Sequence, residues 1–156
     1  MLINELFVIK EIDKIPLDPN NPEIKVTNKI FSKVSRIFAK SQLKKIEIIL
    51  DVNSDLFVSK EGDKIELLIK DSPFVDSDKN NRTDVFNLEK SLELEFMENY
   101  EYVMHGVIFH SGIEDKRVFM YASFGGLLMK YYSQIDNIRI EDLKLDKRIL
   151  LMIKKY

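Results

Sequence analysis

The sequence predicts an all-β protein, folded as a barrel or a sandwich. Three observations carry this. Apolar residues recur with a period of two in segment after segment, as half-buried strands require. Those segments are rich in Ile, Val, Phe and Tyr, which suit a pleated surface. Turn signals separate them at short intervals, among them Asp51-Val52-Asn53-Ser54, Glu61-Gly62-Asp63 and Ser111-Gly112.

In chain order, the first strand is ELFVIKEI (5–12), followed by KVSRIFAK (33–40). In KIEIILDV (45–52), Ile46, Ile48, Leu50 and Val52 alternate with Lys45, Glu47, Ile49 and Asp51. KIELLIKD (64–71) sets Ile65, Leu67 and Ile69 against Glu66, Leu68 and Lys70. YEYVMHGVIFH (100–110), RVFMYASF (117–124), GLLMKYY (126–132) and ILLMIKKY (149–156) complete the set. The last of these is basic with an apolar stripe. Its alternation of Ile149, Leu151 and Ile153 with Leu150, Met152 and Lys154 fits a closing strand better than a membrane-surface helix. Two segments break the rhythm. Residues 14–29 hold prolines 16, 19 and 22, which cannot donate to a central ladder, and read as a long loop. Residues 71–99 begin as a polar, mobile loop; within them 91–96 alternate as a strand, although Leu88, Leu92 and Phe96 also keep helical spacing.

Bulk properties exclude several classes. One chain of 156 residues fits one domain, 1–156, able to bury a core without staples. There are no cysteines, so neither a disulfide framework nor a thiolate zinc site is available. Lysine and arginine number 24 against 26 acidic residues, a formal charge of −2, without the basic excess of a free nucleic-acid binder. The opening MLINELFVIKEIDK is acidic early and lacks a long apolar core, so it reads as neither a signal nor a transit peptide. No run approaches the roughly 18 apolar residues of a membrane span. The expectation is a soluble, intracellular protein, in which the sequon Asn81-Arg82-Thr83 arises by chance.

Each candidate site for chemistry meets an obstacle. SFGGLLMK lacks the spacing of a phosphate loop, and Leu127, Met129 and Tyr131 continue a strand where a helix is needed. Gly125 and Gly126 read instead as a bulge or sharp bend where a missing Cβ lets another backbone approach. His105 and His110, five apart on one strand, face opposite sides unless Gly106 breaks the strand between them. Asp76, Asp78 and Asn80 open like a calcium loop, but Asn81 and Asn87 stand where glycine and glutamate are required. No nucleophile motif is present, and no catalytic, metal or cofactor residue is assigned.

The order and spacing of KVSRI (33–37), IILDVN (48–53), GDKIELLI (62–69), YEYVMHG (100–106), YASFGGLLM (121–129) and LLMIKK (150–155) resemble the small common subunit, the eighth, shared by eukaryotic nuclear RNA polymerases I, II and III. ELFVIKEID (5–13) is similar to that family's first strand. The resemblance implies an eight-stranded antiparallel barrel of oligonucleotide-binding-like topology with a variable central loop, here 71–99. It also implies a non-catalytic assembly subunit, located in the nucleus and nucleolus, that docks on the largest polymerase subunit and neighbouring core subunits. No direct contact with nucleic acid, no membrane, no cofactor and no self-association would be involved. This chain departs from the family in its longer 14–29 insertion, in His105 where tyrosine is usual, and in Lys130 where arginine is usual. Neither exchange would harm a barrel, but either could retune a contact, since lysine lacks the bidentate fork of arginine.

Aromatic residues are favoured at interfaces, and glycines leave backbone accessible. The expected docking residues are therefore Tyr102, His105, Phe124, Gly125, Gly126 and Lys130. Alternation sends about half of such residues inward, so each is weighed against a place in the core. The competing reading is a free-standing single-strand nucleic-acid binder. It uses the same ten Phe and six Tyr as stacking surfaces but lacks the positive charge.

Overall fold

The computed structural model describes residues 3–18, 20–27, 32–72, 95–134 and 143–156, and the backbone alone for 15–18, 21 and 22. Each of the eight segments read as strands is one. They are β1 (Ile3–Ile12), β4 (Val34–Ser41), β5 (Glu47–Asn53), β6 (Lys64–Asp71), β7 (Tyr102–Glu114), β8 (Arg117–Phe124), β9 (Leu127–Gln134) and β10 (Arg148–Lys155). They close a barrel in the order β1-β4-β5-β9-β8-β7-β10-β6, with β6 returning to β1. Every neighbouring pair is antiparallel. Closure removes the free edges that an open sheet would offer for aggregation.

The 14–29 insertion is not a loop. It contains a two-stranded antiparallel ribbon, β2 (Lys14–Asp18) and β3 (Asn21–Thr27), separate from the barrel. Proline is tolerated there because each strand of a ribbon has one unpaired edge, where a missing N–H costs nothing. In the second irregular segment, residues 73–94 lie outside the described residues, and with them most of the strand expected at 91–96. Its described end, at Glu95 and Phe96, belongs to a helical turn over 95–97 instead.

One set of alternate residues fills the barrel. Phe7, Ile9, Ile37, Ile48, Leu50, Ile65, Leu67, Ile108, Val118 and Met120 are all but inaccessible. Each such side chain contributes roughly 1.5–3 kcal/mol by leaving water. Tyr131 is the largest of these buried groups, and among the described residues its hydroxyl has no hydrogen-bond partner. Burial pushes its pKa up to about 12. The Ser133 hydroxyl offsets part of that, but donates to the Gln134 carbonyl at 3.1 Å.

The outer faces differ around the barrel. On β6 and β10, Leu68, Leu150 and Met152 point outward yet are buried. Phe96 and Tyr100 lie on that side, with Lys70 5.4 Å and Lys154 5.1 Å from the respective ring centres. The adjoining wall, formed by β7, β8 and β9, leaves its outer side chains partly or fully exposed.

The β5–β9 ladder is short, pairing only Glu47 to Leu50 with Tyr132 to Met129. Beyond it a side chain replaces the backbone. Buried Asp51 accepts the Leu128 N–H at 3.1 Å, and Arg36 Nε and Nη2 at 2.7 and 3.1 Å. Three donors offset the desolvation of one carboxylate. The hydrogen bond to Asp51, above all, raises the Arg36 pKa further.

Candidate partner-docking site

The wall of β7, β8 and β9 is set by two hairpins. Phe124 pairs with Leu127, so Gly125-Gly126 is a two-residue turn. Its φ values of 64° and 100° are both positive, as the type I′ hairpin requires. A Cβ on either glycine would meet nothing within 4 Å. The expected bulge with close backbone approach is therefore corrected: backbone conformation, not crowding, calls for glycine here. The crowded glycine is Gly106. A Cβ there would stand 2.5 Å from both the Ser123 carbonyl oxygen and Phe124 Cδ1.

With the turn fixed, the register follows. Tyr121 stands opposite Lys130 and Phe119 opposite Tyr132. Lys130 Nζ lies 4.6 Å from the Tyr132 ring centre and 5.3 Å from that of Tyr121. The Tyr132 hydroxyl first, then that of Tyr121, raises its pKa above the ordinary lysine value. Arg117 lies over the same Tyr132 ring at 5.3 Å. Across β7, a bulge at Phe109 places His110 opposite Tyr121. The two rings stack, with centres 5.6 Å apart and planes 18° apart. Phe119 adds contacts of 5.3 Å to His110 and 5.7 Å to Tyr121, and its ring covers Gly112. Phe109 is half exposed and lies 6.1 Å from Tyr121. The result is a contiguous outer patch of aromatic rings in mutual contact, one pair of them stacked, holding two cations.

The expected docking residues separate into two groups. Tyr102 and Phe124 point inward and are buried. The Tyr102 hydroxyl accepts the Asn53 N–H at 2.9 Å, and its ring packs on Phe57 at 5.7 Å. Phe124 covers Gly106. Lys130 lies in the aromatic patch, while Gly125 and Gly126 are exposed at the barrel rim. His105 is exposed near that rim, two residues before the Val107–Ser123 pair. His105 and His110 do not face opposite sides: the break that brings both outward is the Phe109 bulge, not Gly106. They remain roughly 15 Å apart along the strand, too far to share a metal. Among the described residues, no three acidic, His or Cys side chains are grouped to hold an ion, and no helix is long and apolar enough to cross a membrane.

Comparison with known proteins finds relatives over most of the chain. The profile of a family described as "RNA polymerase Rpb8" matches residues 21–155. A Caenorhabditis elegans relative, "Probable DNA-directed RNA polymerases I, II, and III subunit RPABC3", is 28% identical over 99% of this chain and 96% of its own length. An Arabidopsis thaliana relative, "DNA-directed RNA polymerases II, IV and V subunit 8B", is 32% identical with the same coverage. One from Dictyostelium discoideum, "DNA-directed RNA polymerases I, II, and III subunit rpabc3", is 29% identical over 99% of this chain and 97% of its own. The family profile over residues 21–155 and these near full-length relatives settle it: the chain belongs to the RNA polymerase Rpb8 family.

Proposed function

We propose that this protein is a common subunit of nuclear DNA-directed RNA polymerases, acting in transcription as a non-catalytic assembly component. Membership of the polymerase family favours this over a free-standing single-strand binder. The docking partner in this reading is the largest polymerase subunit, with neighbouring core subunits beside it. The observation that carries the docking role is the outer wall of β7–β9, where Tyr121 and Tyr132 flank Lys130 and His110 and Phe119 extend the ring cluster on a partly exposed sheet face. Rings of this kind supply large, rigid contact area when they leave water. His105, Gly125 and Gly126 border the wall at the rim. Tyr102 and Phe124 support it from within. A stable contact would bury on the order of 800 Å² on this partner.

The protein acts in the nucleus, nucleolus included, and does not self-associate in this reading. Its relatives differ in the polymerases they are named for, I, II and III or II, IV and V. The test is affinity purification of the tagged chain from its own cells, with co-purifying proteins identified by mass spectrometry. The two largest polymerase subunits should be recovered, and which paralogues appear tells which polymerases use the chain. Recovery of neither overturns the proposal.

A further inference from the structure

The aromatic wall runs into a groove of the opposite character. The groove lies between the β4–β5 connection and the β7–β8 turn and has a volume of about 440 Å³. Five cations line it, Lys40, Lys44, Lys45, Lys116 and Arg117, against two carboxylates, Glu47 and Asp115. In a chain of net charge −2 this is a local reversal of sign. The internal ion pairs leave positive charge over. Glu47 is shared by Lys40 and Arg117, each at 3.7 Å, and Lys44 turns to Glu5 at 2.5 Å. Among the described residues Lys45 and Lys116 have no ion-pair partner, and both are exposed.

Lys116 also sits under backbone strain. Glu114 pairs with Arg117, so Asp115-Lys116 is a two-residue turn with φ of 51° and 64°. Aspartate tolerates that region; lysine rarely adopts it, and glycine is preferred. Strain of this kind points to a use for the side chain that is held there.

We infer that this groove receives an acidic segment of a partner protein, its carboxylates paired with Lys45, Lys116 and the shared cations. The inference rests on the subunit reading only in making the partner a protein. Arg117 joins the groove to the docking wall through Tyr132, so one partner can span both. A nucleic-acid backbone fits less well. Its evenly spaced phosphates would meet Glu47 and Asp115, and the chain has no basic excess to attract it. A peptide offers spaced carboxylates to the lysines and backbone N–H groups to those two acids.

The test is fluorescence anisotropy on the full chain, with a short labelled oligoglutamate peptide as probe. Oligoglutamine and a short oligothymidine strand serve as comparisons. Oligoglutamate should bind in a salt-dependent manner, with oligoglutamine and oligothymidine weaker. The double variant Lys45→Glu/Lys116→Glu should lose about tenfold in affinity. Lys116→Gly removes the charge while relieving the turn, so it remains informative if the double reversal fails to fold, and should lose about threefold. Absence of oligoglutamate binding, undiminished binding by Lys116→Gly, or tighter binding of oligothymidine each overturns the inference. Because the assay uses the isolated chain, its failure leaves the co-purification of polymerase subunits standing, and the reverse also holds.

Discussion

The two turns that flank β8 have the same length and both take positive φ, but their chemistry is opposite. Gly125-Gly126 meets the conformation without strain and has open space around it. Asp115-Lys116 meets it with a lysine in a region that disfavours side chains, at the mouth of a basic groove. A hairpin needs only the first solution to fold. The second keeps a charge where a glycine would fold more easily, so its residue choice reflects contact rather than architecture. Glycine itself serves two distinct purposes in this wall: conformation at positions 125 and 126, space at position 106.

Substitutions can separate these purposes. The largest effect is expected at Gly106→Ala, where the new Cβ meets a backbone oxygen that cannot move away. A loss of about 3 kcal/mol should appear in denaturant melts, and an unchanged midpoint would mean β7 and β8 separate readily. Next is Gly126→Val, with a β-branched residue at φ 100°. Here about 2 kcal/mol should be lost, entirely from backbone strain. Gly126→Ala should already show much of it, since there is no crowding to grow with side-chain size. The smallest effect has the opposite sign. Lys116→Gly should gain about 1 kcal/mol, or roughly 2–4 °C in melting temperature. If Lys116→Gly destabilises the protein, the turn is not strained and the contrast between the two turns fails.

The barrel was legible in the sequence because the signal that forms it, apolar residues every second position, is the one a sequence carries most openly. All eight barrel strands follow it. The β2–β3 ribbon was hidden by its prolines, which argue against a central strand but not against an isolated pair with free edges. The paired glycines read as a bulge or bend because the period of two continues past them in Leu127, Met129 and Tyr131. A two-residue Gly-Gly between alternating runs is itself a hairpin signal. Taken that way, the Phe124–Leu127 pair fixes Tyr121 against Lys130 and Phe119 against Tyr132, and the centre of the patch becomes readable. The place of His110 in it was not legible. The bulge at Phe109 shifts the register by one residue, and no local residue type announces it. Tyr102 and Phe124 share an inward phase with Met104 and Ala122, which their strands' alternation alone leaves ambiguous between the two faces.

Two adjoining stretches of the barrel wall also part in what covers them. Outward Leu68, Leu150 and Met152 are buried within the chain itself, whereas the aromatic wall around Lys130 remains accessible. That asymmetry puts the docking claim on one face. Its most direct measurement is quantitative co-purification of polymerase subunits with the tagged wild-type chain and with Tyr121→Ala/Lys130→Glu. Thermal melts would establish first that the variant is folded. We predict a melting temperature close to wild type and recovery of the largest subunit reduced about tenfold or more. A folded variant that recovers the largest subunit as well as wild type would contradict the account.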